Sequence, residues 1–509
     1  MPTDSSVEFE LPANPQALEP PRTDGVVTRP PRKGARLYLM AMLVTQAIAL
    51  VRYVILARLL GPEQLGLAAT LIVTASFFDL ISETGADRFL IQDRAGNDEQ
   101  LQKVVQLTYV GRGVLIAAML VVLAVPLAAL YREPQLAVGF MFIALAPLMR
   151  GFLHLDMRRA QRNFDFRPEA KRSIIAELVG IVVLVTAAFV LRNFTAVIWG
   201  TVARELTRTV SSHLLSERRY ALGWSKIHGP RLLRFAYPLM LTGLTLFIGS
   251  QGDRVVVADW LGVKALGYYS AVLLLIYAPS GLIFNYIHAL YVPMVAAERD
   301  HPAQRQKVID LLGGQTVLLA VAMCAGFALV APVAVTMLYG HRYTQTAMLV
   351  GLIGILQCTR FLINWPTTVC LSLGQSRAVL ASNVARFLAY PCAFAGVGMF
   401  GGLRGMVAGF AVGEMVSIVI ALMLMNRGAE RPLLAGFDRL AAFFLTCCAV
   451  IGWNLFAHYP TILAAAVMTA LSAALVLWIA RREAASIADA VQLTRRLAAP
   501  LFARRGMAG

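Results

Sequence analysis

Ionisable side chains lie inside stretches of this sequence that are otherwise apolar. A charged side chain at the centre of a lipid bilayer costs about 3 kcal/mol to insert, so such a residue indicates a binding or transport site. The first half of the chain has the larger set: Arg52, Asp79, Glu83, Arg112, Arg150, His154, Glu177, Arg204, Glu205 and Arg208. The second half has fewer: Asp253, Arg254, His288, Arg360, Arg386 and Glu414. We predict that many of them line a water-filled interior, where acidic and basic groups can neutralise each other.

The spacing of these residues predicts charged faces on individual helices, because residues four apart lie on the same face of an α-helix. Three groups have this spacing: Asp79, Glu83 and Asp87; Arg150, His154 and Arg158; Arg204 and Arg208. A simpler explanation stays open near helix ends, where a long side chain can reach the membrane surface. It applies to Asp87, Arg158 and Arg208, and Asp253 with Arg254 could form a local ion pair.

The apolar stretches around these charges are long enough to cross a bilayer, which takes about 20 helical residues. Of the 509 residues, 58% are hydrophobic and 15% are charged, whereas a soluble domain has roughly 25% charged residues. This composition excludes a water-soluble protein. We predict an all-α, polytopic membrane protein with about fourteen transmembrane helices, near residues 36–60, 65–90, 105–130, 135–156, 173–191, 194–215, 234–258, 265–292, 308–338, 345–372, 378–399, 403–425, 438–457 and 460–480.

The links between these stretches differ in charge. Alternate links are only a few residues long and carry few basic residues, whereas the others are longer and strongly basic. The positive-inside rule predicts that the basic links and both termini are cytoplasmic. The net charge of +17 is then mostly topological, which argues against a nucleic-acid partner. We predict a disordered cytoplasmic tail over residues 1–35. Residues 483–509 form either a basic segment on the inner leaflet or a solvated tail.

A spacing motif occurs twice, about 200 residues apart. Its copies are Ala57-x-x-Leu60-Gly61-x-x-x-Leu65-Gly66 and Ala258-x-x-Leu261-Gly262-x-x-x-Leu266-Gly267. Five identities at one offset indicate a duplicated membrane protein, and duplicated membrane proteins are typically transporters. The same offset pairs Asp253 with Arg52 and Asn285 with Thr84, as expected if both halves line one central cleft.

Several segments together resemble one family. They are the repeated motif, Gly85-Ala-Asp-Arg-Phe-Leu-Ile-Gln92, Met157-Arg-Arg-Ala-Gln-Arg-Asn-Phe-Asp-Phe166, Gly252-Asp253-Arg254, and Leu338-Tyr339-Gly340. Their order and spacing over residues 36–480 resemble bacterial polysaccharide-transport flippases of the multidrug/oligosaccharidyl-lipid/polysaccharide exporter superfamily.

This resemblance implies a V-shaped pair of pseudo-symmetric six-helix lobes, 36–216 and 217–426, followed by two helices in 427–482. It implies a flippase, not an enzyme, that moves undecaprenyl-pyrophosphate-linked oligosaccharides across the bacterial inner membrane. The glycan would serve O-antigen, capsule or exopolysaccharide synthesis. The expected partners are this lipid-linked oligosaccharide, the phospholipid bilayer and a polysaccharide polymerase or export machinery. The acidic residues of the second predicted span depart from a uniformly cationic cavity.

The buried charges suit such a cargo, because guanidinium groups bind phosphate oxygens bidentately and keep their charge when they leave water. The candidate residues for binding pyrophosphate and sugar are Arg52, Arg112, Arg150, His154, Arg204, Arg254, Asn285 and Arg360. Asp79 or Glu83 could carry a coupling proton or sodium ion. The chain has no Gly-x-x-x-x-Gly-Lys-Ser/Thr loop for ATP, and its six cysteines have no metal-binding spacing. We expect no cofactor, no metal and no catalytic residue.

Two other functions stay open. A drug/cation antiporter of the same superfamily would need acidic and aromatic groups for organic cations, and Asp79 and Glu83 keep this alternative open. A membrane-embedded glycan polymerase or ligase would need an acid or base and an acceptor surface outside the bilayer. The outer links are too short to supply that surface.

Overall fold

The computed structural model describes residues 32–93, 95–162, 165–298 and 301–456, together with residues 474 and 481. In the first half the helices are α1 (Arg32–Ile81), α2 (Ala86–Gln92), α3 (Glu99–Val122), α4 (Ala124–Leu130), α5 (Gln135–Ile143), α6 (Leu145–Gly151), α7 (Asp156–Arg162), α8 (Arg167–Leu191) and α9 (Thr195–Leu214). In the second half they are α10 (His228–Leu261), α11 (Val263–Ala297), α12 (Pro302–Tyr339), α13 (Ala347–Leu362), α14 (Asn364–Ser372), α15 (Ser376–Ala385), α16 (Ala389–Phe400), α17 (Gly402–Gly428) and α18 (Phe437–Phe456).

The described residues are all-helical, and eight helical segments are long and apolar enough to cross a membrane. The count becomes nine if α5 and α6 form one bent span with α7. The predicted all-α, polytopic class is therefore confirmed. The predicted span near 460–480 and the terminal segments 1–31 and 483–509 lie outside the described residues, and the lobe boundaries stay a prediction.

The repeated motif has the same backbone conformation in both copies. Gly61 has φ 76° and ψ 174°, and Gly262 has φ 86° and ψ 164°. Only glycine adopts this region without strain, because it has no Cβ. In the first copy two helical parts of α1 meet in a kink at the non-helical Gly61, as the predicted spans 36–60 and 65–90 require. The second part ends at Ile81, earlier than the predicted residue 90. In the second copy the same kink separates α10 from α11.

Two of the predicted charged faces are wrong because the helices break inside them. Helix α1 ends at Ile81, and Gly85 adopts the left-handed conformation with φ 59°. Asp79, Glu83 and Asp87 therefore do not share one helical face. Likewise α6 ends at Gly151 and α7 begins at Asp156, with a 54° bend between the two parts of this segment. That break separates Arg150, His154 and Arg158. The third pair, at 204 and 208, does lie on one helix, α9.

The long helices α1, α10 and α11 form the centre of the bundle. Helix α1 packs against α8, α10 and α11, and one apolar core runs from α1 to α18. Fully buried side chains from both halves belong to this core, including Leu71, Tyr269 and Trp365. The polar side chains described below lie in gaps of this core, so their positions are fixed by rigid helices.

Candidate functional site

Four predicted binding residues line a single cavity, which we call the arginine cavity. They are Arg52 of α1, Arg150 of α6, Arg204 of α9 and Arg254 of α10, and Asp79 of α1 lies beside them. The cavity has a volume of about 250 Å³. It is enclosed by both halves of the sequence, because α10 and α11 contribute one wall.

The arginines of this cavity belong to one continuous network of ion pairs. Glu177 of α8 contacts Arg52 at 3.3 Å, Arg204 at 3.6 Å and Arg208 at 3.5 Å. Glu205, which is fully buried, contacts Arg204 at 3.2 Å and Arg208 at 3.3 Å. These contacts join α1, α8 and α9 into one charged layer.

Arg150 extends the network toward the end of α1. Its guanidinium contacts Glu205 at 3.4 Å and Asp79 at 2.7 Å. Asp79 also contacts Arg112 of α3 at 3.6 Å, and Arg112 contacts Glu83 at 3.2 Å. The two residues predicted for ion coupling are therefore both paired with arginines.

Arg254 differs from the other cavity arginines. Within the described residues it forms no salt bridge, and its buried Nε atom has no hydrogen-bond partner. Its neighbour Asp253 pairs instead with Arg360 at 2.9 Å, which contradicts the alternative of a local ion pair between residues 253 and 254. Arg254 thus brings a positive charge to the cavity wall that no salt bridge of the described chain balances.

The charges around the arginine cavity do not cancel. The network and Arg254 together comprise six guanidinium groups and four carboxylates, namely Arg52, Arg112, Arg150, Arg204, Arg208, Arg254, Asp79, Glu83, Glu177 and Glu205. The site therefore carries an excess of two positive charges. Such an excess, held in a partly buried cleft, favours an anionic ligand.

A second cavity, which we call the polar cavity, lies in the second half of the chain. It has a volume of about 190 Å³ and is lined by Ser250, Tyr277, Gln357, Arg360 and Asn364, among others. The predicted residue Arg360 is therefore at a cavity, but not at the one that contains the other arginines.

Ion pairs fix the two arginines of the polar cavity. Arg360 contacts Asp253 and Glu414, each at 2.9 Å. Arg386 contacts Glu414 at 2.9 Å and donates a hydrogen bond to the carbonyl oxygen of Gly249. Asp253 and Glu414 are both buried. Two cations face two anions, so this cluster has no net charge.

The remaining predicted residues lie elsewhere. His154 is buried at the break between α6 and α7, where its Nε2 atom lies 3.0 Å from the carbonyl oxygen of Arg218 and its ring packs against His213 and Tyr220. These contacts are those of a packing residue outside both cavities. Asn285 lies in α11, and its side chain is outside the described part of the structure.

Sequence reasoning did not select several uncharged residues that line the cavities. In the arginine cavity they include Tyr53, whose ring lies 5.4 Å from the Arg52 guanidinium carbon, and Ser270, whose buried hydroxyl has no hydrogen-bond partner in the described chain. In the polar cavity they include Tyr277 and Gln357. A single uncharged polar residue in an apolar stretch is common, so the sequence had no signal that distinguishes them.

The sequence of this chain matches a known protein family. Residues 55–348 match the family described as polysaccharide biosynthesis protein. The chain belongs to this family. The match covers more than half of the sequence and includes Arg150, Arg204 and Arg254 of the arginine cavity, whereas Arg52 lies just before its first residue. The resemblance found from the motifs is confirmed.

Named relatives and a solved structure agree with this placement. The chain is 28% identical over 310 residues to the succinoglycan biosynthesis transport protein ExoT of Rhizobium meliloti, which covers 59% of this chain and 61% of ExoT. It is 20% identical over 401 residues to the lipopolysaccharide biosynthesis protein WzxC of Escherichia coli, covering 77% of this chain and 80% of WzxC. The fold matches the lipid II flippase MurJ in an inward closed conformation with a TM-score of 0.67, at 11% identity, over 89% of this chain and 100% of MurJ.

Proposed function

We propose that this protein is a flippase that translocates undecaprenyl-pyrophosphate-linked oligosaccharides across the bacterial inner membrane for surface polysaccharide synthesis. The observation that carries the proposal is the excess of two positive charges at the arginine cavity. A pyrophosphate that links a lipid to a sugar carries about two negative charges and cannot cross hydrocarbon unaided. The cavity has the charge that would neutralise it.

The arginines can reach such a ligand without leaving the network. The Arg52, Arg150 and Arg204 side chains line the cavity and are 16%, 32% and 20% exposed, so each is partly accessible to a ligand. Arg254 faces the same space without a carboxylate partner. Charge-assisted hydrogen bonds from guanidinium groups to phosphate oxygens are about twice as strong as neutral ones. The polyprenyl tail would stay in the surrounding lipid.

Ion coupling follows from competition for the same arginines. Asp79 and Glu83 are each held by Arg112, and Asp79 also by Arg150. An arriving pyrophosphate would compete with these carboxylates for the guanidinium groups. A carboxylate that loses its arginine becomes available to a proton or sodium ion. Binding of cargo and binding of the coupling ion would then be linked in an alternating-access cycle.

The experiment is a deletion strain examined in two ways. We expect loss of surface polysaccharide, accumulation of lipid-linked oligosaccharide in the membrane, and restoration of both by the wild-type gene. Susceptibility to cationic drugs should stay unchanged, because a cavity with excess positive charge repels organic cations. Normal surface polysaccharide together with drug hypersensitivity would contradict the proposal and favour the antiporter. Sugar-polymer formation by the purified protein would instead favour a polymerase or ligase.

A further inference from the structure

The polar cavity and the arginine cavity are neighbours along the same two helices. On α10, Ser250 lines the polar cavity and Arg254, one turn later, lines the arginine cavity. On α11, Ser270 lines the arginine cavity and Tyr277 lines the polar cavity, about 10 Å further along the helix. The two cavities therefore lie only one to two helical turns apart along these helices.

The polar cavity does not have the charge that a phosphate or a cation requires. Its two arginines are balanced by Asp253 and Glu414, and both carboxylates are buried behind them. The ion pairs stiffen the wall and leave the cavity electrically neutral. The ligand that fits such a space is uncharged and polar.

Uncharged hydrogen-bonding residues line this space. Gln357 is 5% exposed, and its amide nitrogen has no hydrogen-bond partner in the described chain. A buried amide without a partner is unfavourable, so this group favours a ligand that accepts a hydrogen bond. Asn364 donates to the carbonyl oxygens of Arg360 and Phe361, which orients its own carbonyl oxygen as an acceptor. Hydroxyl groups of a sugar can both donate and accept.

An aromatic ring completes the lining. Tyr277 lines the polar cavity, and its side chain is 42% exposed. The apolar face of a sugar ring can pack on such an aromatic surface while its hydroxyls reach the amides. Amide groups, hydroxyls and one open aromatic face form a set suited to carbohydrate.

We infer that the polar cavity is a carbohydrate subsite, which holds sugar residues of the cargo while the pyrophosphate occupies the arginine cavity. This inference rests on the proposed function and assigns the pyrophosphate and the sugars of the cargo to separate cavities. The arginine cavity binds the part that every undecaprenyl-pyrophosphate carrier shares. The polar cavity binds the sugar residues, which differ between glycans.

The test compares two probe lipids on the purified, full-length protein in lipid nanodiscs. One probe is undecaprenyl pyrophosphate without sugar, and the other is the glycan-bearing form isolated from a polymerase-deficient strain of the source bacterium. The variants are Gln357→Leu and Tyr277→Leu, with Arg254→Ala as the pyrophosphate-site variant. Tyr237→Leu is the matched control, because Tyr237 is an exposed tyrosine of α10 outside both cavities.

We expect Gln357→Leu and Tyr277→Leu to weaken binding of the glycan-bearing lipid about tenfold and to leave binding of the sugar-free lipid unchanged. Arg254→Ala should weaken both, and Tyr237→Leu neither. Should Gln357→Leu not fold, Tyr277→Leu decides alone, because the Tyr277 side chain is much less buried than that of Gln357. Unchanged glycan binding, or equal loss for both lipids, overturns the subsite and leaves the flippase proposal standing. Failure of the wild type to bind either lipid overturns both.

Discussion

Gly66 and Gly267 lie in reciprocal backbone contact where the two copies of the repeated motif cross. A β-carbon on Gly66 would lie 1.8 Å from the carbonyl oxygen of Val263, and one on Gly267 would lie 1.7 Å from that of Pro62. Pro62 precedes Gly66 by the same four positions that separate Val263 from Gly267. The contact therefore has the two-fold relationship expected of duplicated halves, and it closes the bundle at the end that carries the short links.

This contact predicts that side chains at Gly66 prevent closure at that end. We expect Gly66→Leu to abolish surface polysaccharide in a complementation assay, because neither backbone can move aside without separating α1 from α11. The control is Gly111→Leu, since a β-carbon at Gly111 of α3 has nothing within 4 Å. Comparable protein abundance for both variants, measured by immunoblot, is required. Full activity of Gly66→Leu would show that the contact is not part of the cycle.

A second contact at the same end joins the two halves through Arg58. Its guanidinium group donates to the carbonyl oxygens of Met337 and Leu338, in the last turn of α12. Arginine hydrogen bonds to the free carbonyls of a helix C-terminus stabilise this arrangement. Each such bond contributes about 1–2 kcal/mol, so we expect Arg58→Ala to increase the population that is open at this end.

The opening can be measured with a reporter cysteine. Ser270→Cys places a thiol in the arginine cavity in a background from which the six native cysteines have been removed. In Arg58→Ala we expect an impermeant maleimide, added from the side of the short links, to label this thiol about tenfold faster. An equal labelling rate with and without Arg58 would show that its hydrogen bonds do not hold the bundle closed.

The two charge clusters predict different costs for losing one carboxylate. Glu414 is the salt-bridge partner of Arg386 in the described chain, whereas each arginine that contacts Glu205 also contacts Asp79 or Glu177. Removing one partner of a buried pair costs about 3–5 kcal/mol when the other charge is left alone. We therefore expect Glu414→Gln to lower the melting temperature in detergent far more than Glu205→Gln. A decrease in melting temperature for Glu205→Gln that equals or exceeds the decrease for Glu414→Gln would contradict these salt-bridge assignments.

The sequence predicted the fold class and the first-half arginines, but not how the charges pair. Apolar length and the repeated motif are local signals, and they placed Arg52, Arg150 and Arg204 in the interior. The predicted helical face of Asp79 and Glu83 was wrong because α1 ends at Ile81 and a new helix begins after the left-handed Gly85. The Glu83 side chain accepts a hydrogen bond from the Gly85 amide in this break. The sequence signal that could have indicated this helix break was Gly85, which lies before a further apolar stretch.

Salt-bridge partners that lie far apart in the sequence could not be predicted from the sequence. Arg360 and Glu414 are separated by 54 residues, and Arg360 and Asp253 by 107. In the sequence the nearest partner of Asp253 is its neighbour Arg254, whereas in the folded chain Arg360 of α13 forms the salt bridge with Asp253. This pairing matters for function, because it leaves Arg254 without a salt bridge in the described chain, at the wall of the arginine cavity.

Each carboxylate at the arginine cavity that contacts Arg150 or Arg204 has more than one arginine partner, which predicts variants that fold but do not transport. Each carboxylate that contacts Arg150 or Arg204 keeps at least one other arginine when either is removed. We therefore expect Arg150→Ala and Arg204→Ala to abolish surface glycan while protein abundance stays normal. Arg377→Ala is the control, because Arg377 is exposed on α15 outside both cavities. Unchanged glycan in both cavity variants would remove these residues from the mechanism.

Arg254 permits the sharpest test of charge, because its removal breaks no salt bridge of the described chain. Arg254→Ala lowers the charge excess from two to one, and we expect affinity for undecaprenyl pyrophosphate to fall about ten- to hundredfold. Arg254→Lys keeps the charge but loses bidentate geometry, so its affinity should lie between those of the wild type and Arg254→Ala. Because the cause is electrostatic, raising the salt concentration should narrow the difference between wild type and Arg254→Ala. Binding that is equal in all three proteins would show that the cavity recognises its ligand by something other than its positive charge.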